Sequence, residues 1–303
     1  MRRNDDATLA VAIAGSMSAG VAIPAAGLVV EPYLLVWLGA LLFLNLLKLN
    51  PKELAVTFSQ PKSLALLSVI KLVGIPLAMY TMAYFVYRPF ALPILLLSGI
   101  STGLGAPFVV NLIGGRLPLV VGTITVTSLA VPFVLPGLVR ALVGSEFQVP
   151  FGNMVLLLSA ALFVPLSAAW LVKKFVPAAS TYADRNSFAL SILFIVLINF
   201  GMLARFSVYF YSSQIFLLDT IGTAFLCFGA YSLFGYFAAF SKQDRTAGLI
   251  SMAYVNNVLV SVFAVQFFGM QVGALAALYN IPYYVGIVLI RRIRLPAITG
   301  GRQ

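Results

Sequence analysis

Apolar residues fill this chain in tracts of roughly twenty, the length a helix needs to cross the hydrocarbon of a bilayer. The tracts lie near 7–28, 33–49, 62–86, 90–114, 118–143, 150–175, 187–207, 213–240, 245–268 and 270–290. They predict an all-α membrane protein of ten transmembrane helices, several of which adjoin with almost no loop. The polar positions that interrupt the tracts carry more information than the tracts themselves. One interruption is Ser101-Thr102-Gly103-Leu104-Gly105-Ala106-Pro107, with Asn111 just beyond; the other is Tyr254-Val255-Asn256-Asn257. Lipid offers loose N–H and C=O groups no partner, so a broken helix survives at membrane depth only where protein covers it or where it lines a cavity. Breaks at corresponding places in two halves of a chain mark the binding site of a secondary transporter.

The two halves have the same layout. Pro61-Lys62 opens the third tract and the first break follows roughly forty residues later; the eighth tract opens near Ser213 and the second break again follows roughly forty residues later. Five tracts per half turn the second half upside down relative to the first. The expected organisation is therefore an inverted repeat, residues 1–147 and 148–303, with the site near the midplane where the breaks meet.

Composition narrows the class. The chain is 61% hydrophobic and 9% charged, where a soluble domain carries about 25% charge. A net charge of +11 is dispersed through short loops instead of forming a patch, so no nucleic-acid partner is expected. Histidine is absent, which removes Ser-His hydrolases, His-ligated metals and His proton relays. Cys227 is the single cysteine, so no disulfide forms within the chain. Residues 8–30 lack a small-residue cleavage site and read as a first span, not a signal peptide. With ten spans, one side collects Arg2, Arg3, Lys48, Lys52, Lys62, Arg116, Lys173, Lys174, Arg185, Lys242, Arg245, Arg291, Arg292, Arg294 and Arg302, and the other only Arg88, Arg140 and Arg205. This bias predicts both termini in the cytoplasm of a cell whose inner membrane holds the protein.

Short motifs carry a family resemblance. Gly99 to Pro107, followed by Thr123, Thr125 and Thr127, resembles the fourth and fifth helices of the bile acid:sodium symporter family. Arg245-Thr246-Ala247-Gly248 leading to Asn256-Asn257 resembles its ninth helix, and Leu278-Tyr279-Asn280-Ile281-Pro282 its tenth. The auxin-efflux-carrier-type permeases share the ten-helix plan and stand as the second candidate. The resemblance implies a core of spans three to five and eight to ten, with broken spans four and nine crossing, and a panel of spans one, two, six and seven. It also implies transport of organic anions, commonly with two sodium ions.

The chain departs from that family at the implied sodium ligands. Pro107 and Phe108 stand where the resemblance implies Ser-Asn, Val121 replaces a hydroxyl while Thr125 keeps one, Ser251 stands for a glutamate and Val255 for a glutamine. No Asp or Glu occurs in spans four, five or nine, and neutral oxygens alone suit a hard cation less well. A glutamine of the family's third helix, five residues before a proline, matches Lys71 here, five before Pro76. Lys71 lies about 13 Å along a helix from Lys62, near the middle of a core about 30 Å thick. A lysine there costs about 2.5–3.5 kcal/mol on insertion scales, and such residues are functional by default. The expectation is that the Lys71 ammonium takes the place of a sodium ion. Burial disfavours a charged amine, so the same lysine has a route to releasing and reloading a proton, and transport is expected to be proton-linked or uncoupled. Snorkelling to the membrane surface is the other reading of Lys71.

The candidate pathway is thus Lys71, Ser101, Thr102, Gly103, Gly105, Pro107, Asn111, Thr125, Ser251, Asn256 and Asn257, with Thr125 a possible sodium ligand and no other cofactor. Half-helix N-termini at the breaks would offer N–H groups to an anion; alternatively the Asn residues serve only the freed backbone of the opposite break. Gly103 and Gly105 have close packing as their plain reading, the threonines bonding to their own helix, and Tyr279, Tyr283 and Tyr284 an interfacial belt. A Ser101–Lys71 enzyme has nothing in its spacing to support it, a channel would show charged rings or filter repeats, and a sensor would carry an output domain. The sequence reads as a carrier of a small organic anion working by alternating access, not an enzyme.

Overall fold

The computed structural model describes residues 3–48, 61–144 and 150–293. Arg2, Lys52, Arg294, Arg302 and the expected division between halves at 147/148 lie outside the described residues. Among the described residues all regular structure is helical apart from one β-bridge. The helices are α1 (Arg3–Ala22), α2 (Pro24–Val30), α3 (Leu34–Lys48), α4 (Pro61–Val69), α5 (Ile75–Val86), α6 (Ala91–Gly99), α7 (Ala106–Ile113) and α8 (Leu117–Val143). They continue as α9 (Phe151–Phe175), α10 (Pro177–Ser212), α11 (Gln214–Ala238), α12 (Arg245–Ala253), α13 (Asn257–Phe268), α14 (Met270–Leu278) and α15 (Asn280–Ile293).

Seven stretches of the described residues are long and apolar enough to cross a membrane: Pro24–Leu47, Pro61–Val86, Leu117–Val143, Phe151–Phe175, Ala189–Ser212, Gln214–Ala238 and Met270–Ile290. Val11–Ala22, Arg88–Gly99 and Asn257–Phe268 are apolar but shorter. The difference from ten uninterrupted spans has local causes. Pro24 has no N–H to give and its ring clashes with the turn before it, so the first tract splits after Ala22. Pro282 bends the last tract, which divides at Tyr279 into α14 and α15 yet stays long enough as a whole to cross. The other short pieces flank the breaks at 100–105 and 254–256. In the opposite sense, α10 extends well before the expected 187, because Pro177 starts it and residues 178–188 contain neither glycine nor proline to stop it. Gly114 (φ 89°) and Gly269 (φ 91°) end α7 and α13 in a conformation that L side chains rarely adopt.

α1, α2 and α3 pack mainly on α10, and α3 also on α9. Elsewhere α5 lies on α6, α11 on α12, α13 on α14, and α8 touches α4, α6, α7 and α12. The distribution of polarity is inside out. Phe85, Val86, Leu156, Ile215, Leu226 and Phe237 are exposed, while Lys71, Ser98, Ser101, Thr102, Thr127, Ser251, Asn256 and Asn257 are buried. A surface of large apolar side chains over a polar interior suits lipid as solvent.

Candidate functional site

The two breaks meet. After α6 the backbone turns extended at Ile100 (ψ 159°), and Thr102 pairs with Val255 in an antiparallel bridge. Gly103 N–H donates to the Tyr254 carbonyl at 2.7 Å and Asn256 N–H to the Ser101 carbonyl at 3.0 Å. Thr102 N–H donates to Thr127 Oγ1 at 3.2 Å, and the Thr102 hydroxyl donates to the Ser251 carbonyl at 2.7 Å. Each break thus satisfies backbone groups that the other sets free, as buried polar groups require. Asn256 caps its own helix, its Oδ1 accepting from Leu259 N–H at 3.3 Å, and Asn257 Nδ2 donates to Asn280 Oδ1 at 2.6 Å. The N–H groups of Thr102, Gly103 and Asn256 are therefore engaged within the protein.

Lys71 stands at the carbonyl end of the first half-helix. Its Nζ donates to the Ser98 carbonyl at 2.8 Å, and the residue is fully buried (0% exposed). That burial excludes snorkelling. Ser98 lies in the last turn of α6, where carbonyls have no intrahelical partner and the helix dipole is negative, which favours a cation. The local backbone helps to place the ammonium. Residues Ile70–Gly74 form a π-turn in which Ile75 N–H reaches back five residues to Ile70. Pro76, with no N–H, cannot continue the regular ladder to Leu72, and such π-bulges recur at functional positions. Among the described residues no carboxylate pairs with Lys71. The face of Tyr231 lies 5.9 Å from Nζ, within cation–π range.

The second half-helix, α12, ends beside a different set of donors. The Thr102 hydroxyl takes the Ser251 carbonyl, and the Tyr279 hydroxyl donates to the Ala253 carbonyl at 2.7 Å. Tyr279 is fully buried and Tyr283 nearly so, and the Tyr254 and Tyr283 rings meet edge-on with centroids 4.7 Å apart. These tyrosines wall the breaks; the expected interfacial belt is corrected for Tyr279 and Tyr283, because both are buried, the Tyr283 ring against Tyr254 and the Tyr279 ring against Phe228 and Tyr231. A Cβ at Gly105 would collide with the Tyr283 hydroxyl, which accounts for glycine there.

Of the residues singled out in the sequence, Lys71, Ser101, Thr102, Gly103, Ser251, Asn256 and Asn257 are brought together at or beside the crossing of the breaks. Gly105 and Pro107 begin α7, half-buried. Asn111 is exposed on α7 and does not join them. Thr125 donates to its own Val121 carbonyl at 2.9 Å, while Thr127, two residues on, is the threonine that reaches the break. Among the described residues the buried hydroxyls of Ser101 and Ser251 have no hydrogen-bond partner. Among the described residues no group of three or more His, Cys, Asp or Glu could hold a metal ion.

A second polar cluster was not foreseen. Asp244, 2% exposed, accepts from Arg116 Nη1 at 2.8 Å and from Ser63 Oγ at 3.2 Å. It ties the start of α4, the link after α7 and the start of α12 together. Arg116 keeps about a third of its side chain in solvent, which discounts the pair, but removing the carboxylate still strands a guanidinium and a hydroxyl. Asp244→Ala is expected to cost about 1–3 kcal/mol, or about 3–8 °C in melting temperature. Arg116→Ala should lose less, and the double variant less than the sum. Thermal unfolding of the purified variants checks this; independent, additive losses would separate the two residues.

The geometry defines a class: an α-helical membrane protein built around two broken helices that meet in its interior, with polar groups gathered at the crossing. A family model described as the sodium bile acid symporter family matches residues 35–212. That is more than half of the chain, and the protein belongs to this family of membrane transporters, which are not enzymes. The match covers Lys71 and the first break; the second break, at 254–257, lies beyond it. A comparison with curated proteins finds no match.

Proposed function

We propose that the protein is a secondary active transporter of a small organic anion in which Lys71 replaces a sodium ion, so that flux is proton-linked or uncoupled. The observation that carries this reading is the buried Lys71 ammonium on the Ser98 carbonyl, at the negative end of the half-helix α6. Half-helix carbonyl ends are where transporters of this construction seat a coupling cation, and here the chain supplies its own. A positive charge with no carboxylate paired to it among the described residues also favours an anionic substrate.

In this reading the interrupted helices assemble into ten spans, arranged as two inverted units of five. The packing of α1, α2 and α3 on α9 and α10 supports a panel, and the contacts among α4 to α8 and α11 to α15 support a core. Alternating access is the movement of one against the other, in an inner membrane with both chain ends in the cytoplasm. Sodium symport with altered ligands is the second reading, favoured by family membership and by the unpartnered Ser101 and Ser251 hydroxyls.

Thermal stability of the purified protein in sodium against potassium, at matched ionic strength and fixed pH, separates the two. A ligand that binds only the folded state raises the melting temperature by mass action. No sodium-specific rise is expected. A rise would show that a cation site persists and would remove Lys71 from that role.

A further inference from the structure

The carbonyl ends of the two half-helices are the natural seats for a cation, since each combines unsatisfied oxygens with a negative dipole. In this protein both are met by donors from the chain itself. At α6 the donor is Lys71. At α12 the donors are Tyr279, on the Ala253 carbonyl, and Thr102, on the Ser251 carbonyl, each at 2.7 Å. We propose that Tyr279 does at the second break what Lys71 does at the first: its hydroxyl holds the carbonyl end of α12 and keeps an alkali cation out. Tyr279 is then a specificity-determining residue for ion independence. This deepens the function proposed above and rests on it.

The surroundings fit that role. Tyr279 is fully buried, with its ring centroid 6.0 Å from that of Phe228 and 6.1 Å from that of Tyr231. The same Tyr231 ring lies 5.9 Å from the Lys71 ammonium, so one side chain stands between the two donors. The division of the last tract at Tyr279, imposed by Pro282, places the residue at a bend between α14 and α15 and not along a continuous helix. A phenol donates a hydrogen bond without carrying charge, so the second carbonyl end is satisfied without another ammonium at membrane depth. The Ser101 and Ser251 hydroxyls, buried beside the bridge and without partners among the described residues, are the neutral oxygens that a cation would find once the phenol is removed.

Tyr279→Phe keeps the ring and deletes the donor. The full-length wild type, Tyr279→Phe and Lys71→Gln are compared by thermal unfolding in sodium and in potassium at matched ionic strength. Tyr279→Phe is expected to melt about 1–4 °C lower than wild type in potassium, the loss of one of the two hydrogen bonds to a buried carbonyl that keeps the Val255 N–H at 3.1 Å. Sodium should restore at least half of it, while the wild type ignores the exchange. A variant that melts like wild type, falls equally in both salts, or is recovered folded in neither overturns the proposal. A sodium response gained by Lys71→Gln but not by Tyr279→Phe removes Tyr279 and leaves the Lys71 reading standing. A sodium response already present in wild type removes both.

Discussion

Lys71→Ala is expected to slow uptake of the transported anion into proteoliposomes by about 10- to 100-fold. The ammonium makes a charge-assisted bond to the Ser98 carbonyl at 2.8 Å inside the protein. Such bonds contribute about 1.5–3 kcal/mol, and each 1.4 kcal/mol is about tenfold. The same change should do much less to stability. Removing an intramembrane charge relieves about 2.5–3.5 kcal/mol, against about 1–3 kcal/mol for the carbonyl left unpaired. Flux lost with the melting temperature nearly kept is therefore the signature of a functional lysine. A structural lysine would lose both together. Lys71→Gln refines the test, because it restores the residue type that the family resemblance implies at this position while removing the titrating group. Its flux is expected to lose its dependence on pH and to respond to sodium. Flux and pH dependence unchanged in both variants, measured across imposed pH and sodium gradients, would dispose of the role given to Lys71.

Lys71 was legible in the sequence because a charge inside an apolar tract is conspicuous without any knowledge of the fold. The breaks were legible for a similar reason: two glycines, a proline and a Ser-Thr pair have no business in lipid-facing helix. What stayed hidden depends on rotation about a helix axis and on contacts between distant segments. Thr125 and Thr127 are equivalent by composition, yet two residues turn a helix by about 200°. One of them bonds along its own helix and the other meets the Thr102 N–H. Tyr279 beside a proline near the end of an apolar tract is indistinguishable from a residue of an interfacial belt until its hydroxyl is seen on the Ala253 carbonyl at the end of α12. The Arg116–Asp244 pair spans 128 positions and joins two loops that, read singly, are ordinary solvated charge. The number of spans was the reverse case. The tracts are plain, but Pro24 and the two breaks shorten the helices inside them, so tract and helix do not correspond one to one.

Gly103→Ala should be among the most disruptive conservative changes in the chain. A Cβ built on Gly103 would lie 2.5 Å from the Val255 carbonyl oxygen, 2.8 Å from its carbon and 3.1 Å from the Tyr254 oxygen. All three are backbone atoms, so no side chain can swing away to make room. The strands of the bridge must separate, and with them go the Gly103–Tyr254 and Asn256–Ser101 hydrogen bonds. Two buried backbone pairs left open cost about 1–3 kcal/mol each, or about 5–15 °C in melting temperature. Gly222→Ala is the matched control, since nothing lies within 4 Å of a Cβ there and the exchange favours a helix. A Gly103→Ala protein that melts within about 1 °C of that control would mean the breaks are not clamped together. Where stability does fall, transport should fall further than stability predicts. The bridge fixes the carbonyl ends that Lys71 and Tyr279 occupy, and displacing it moves both donors off their acceptors at once.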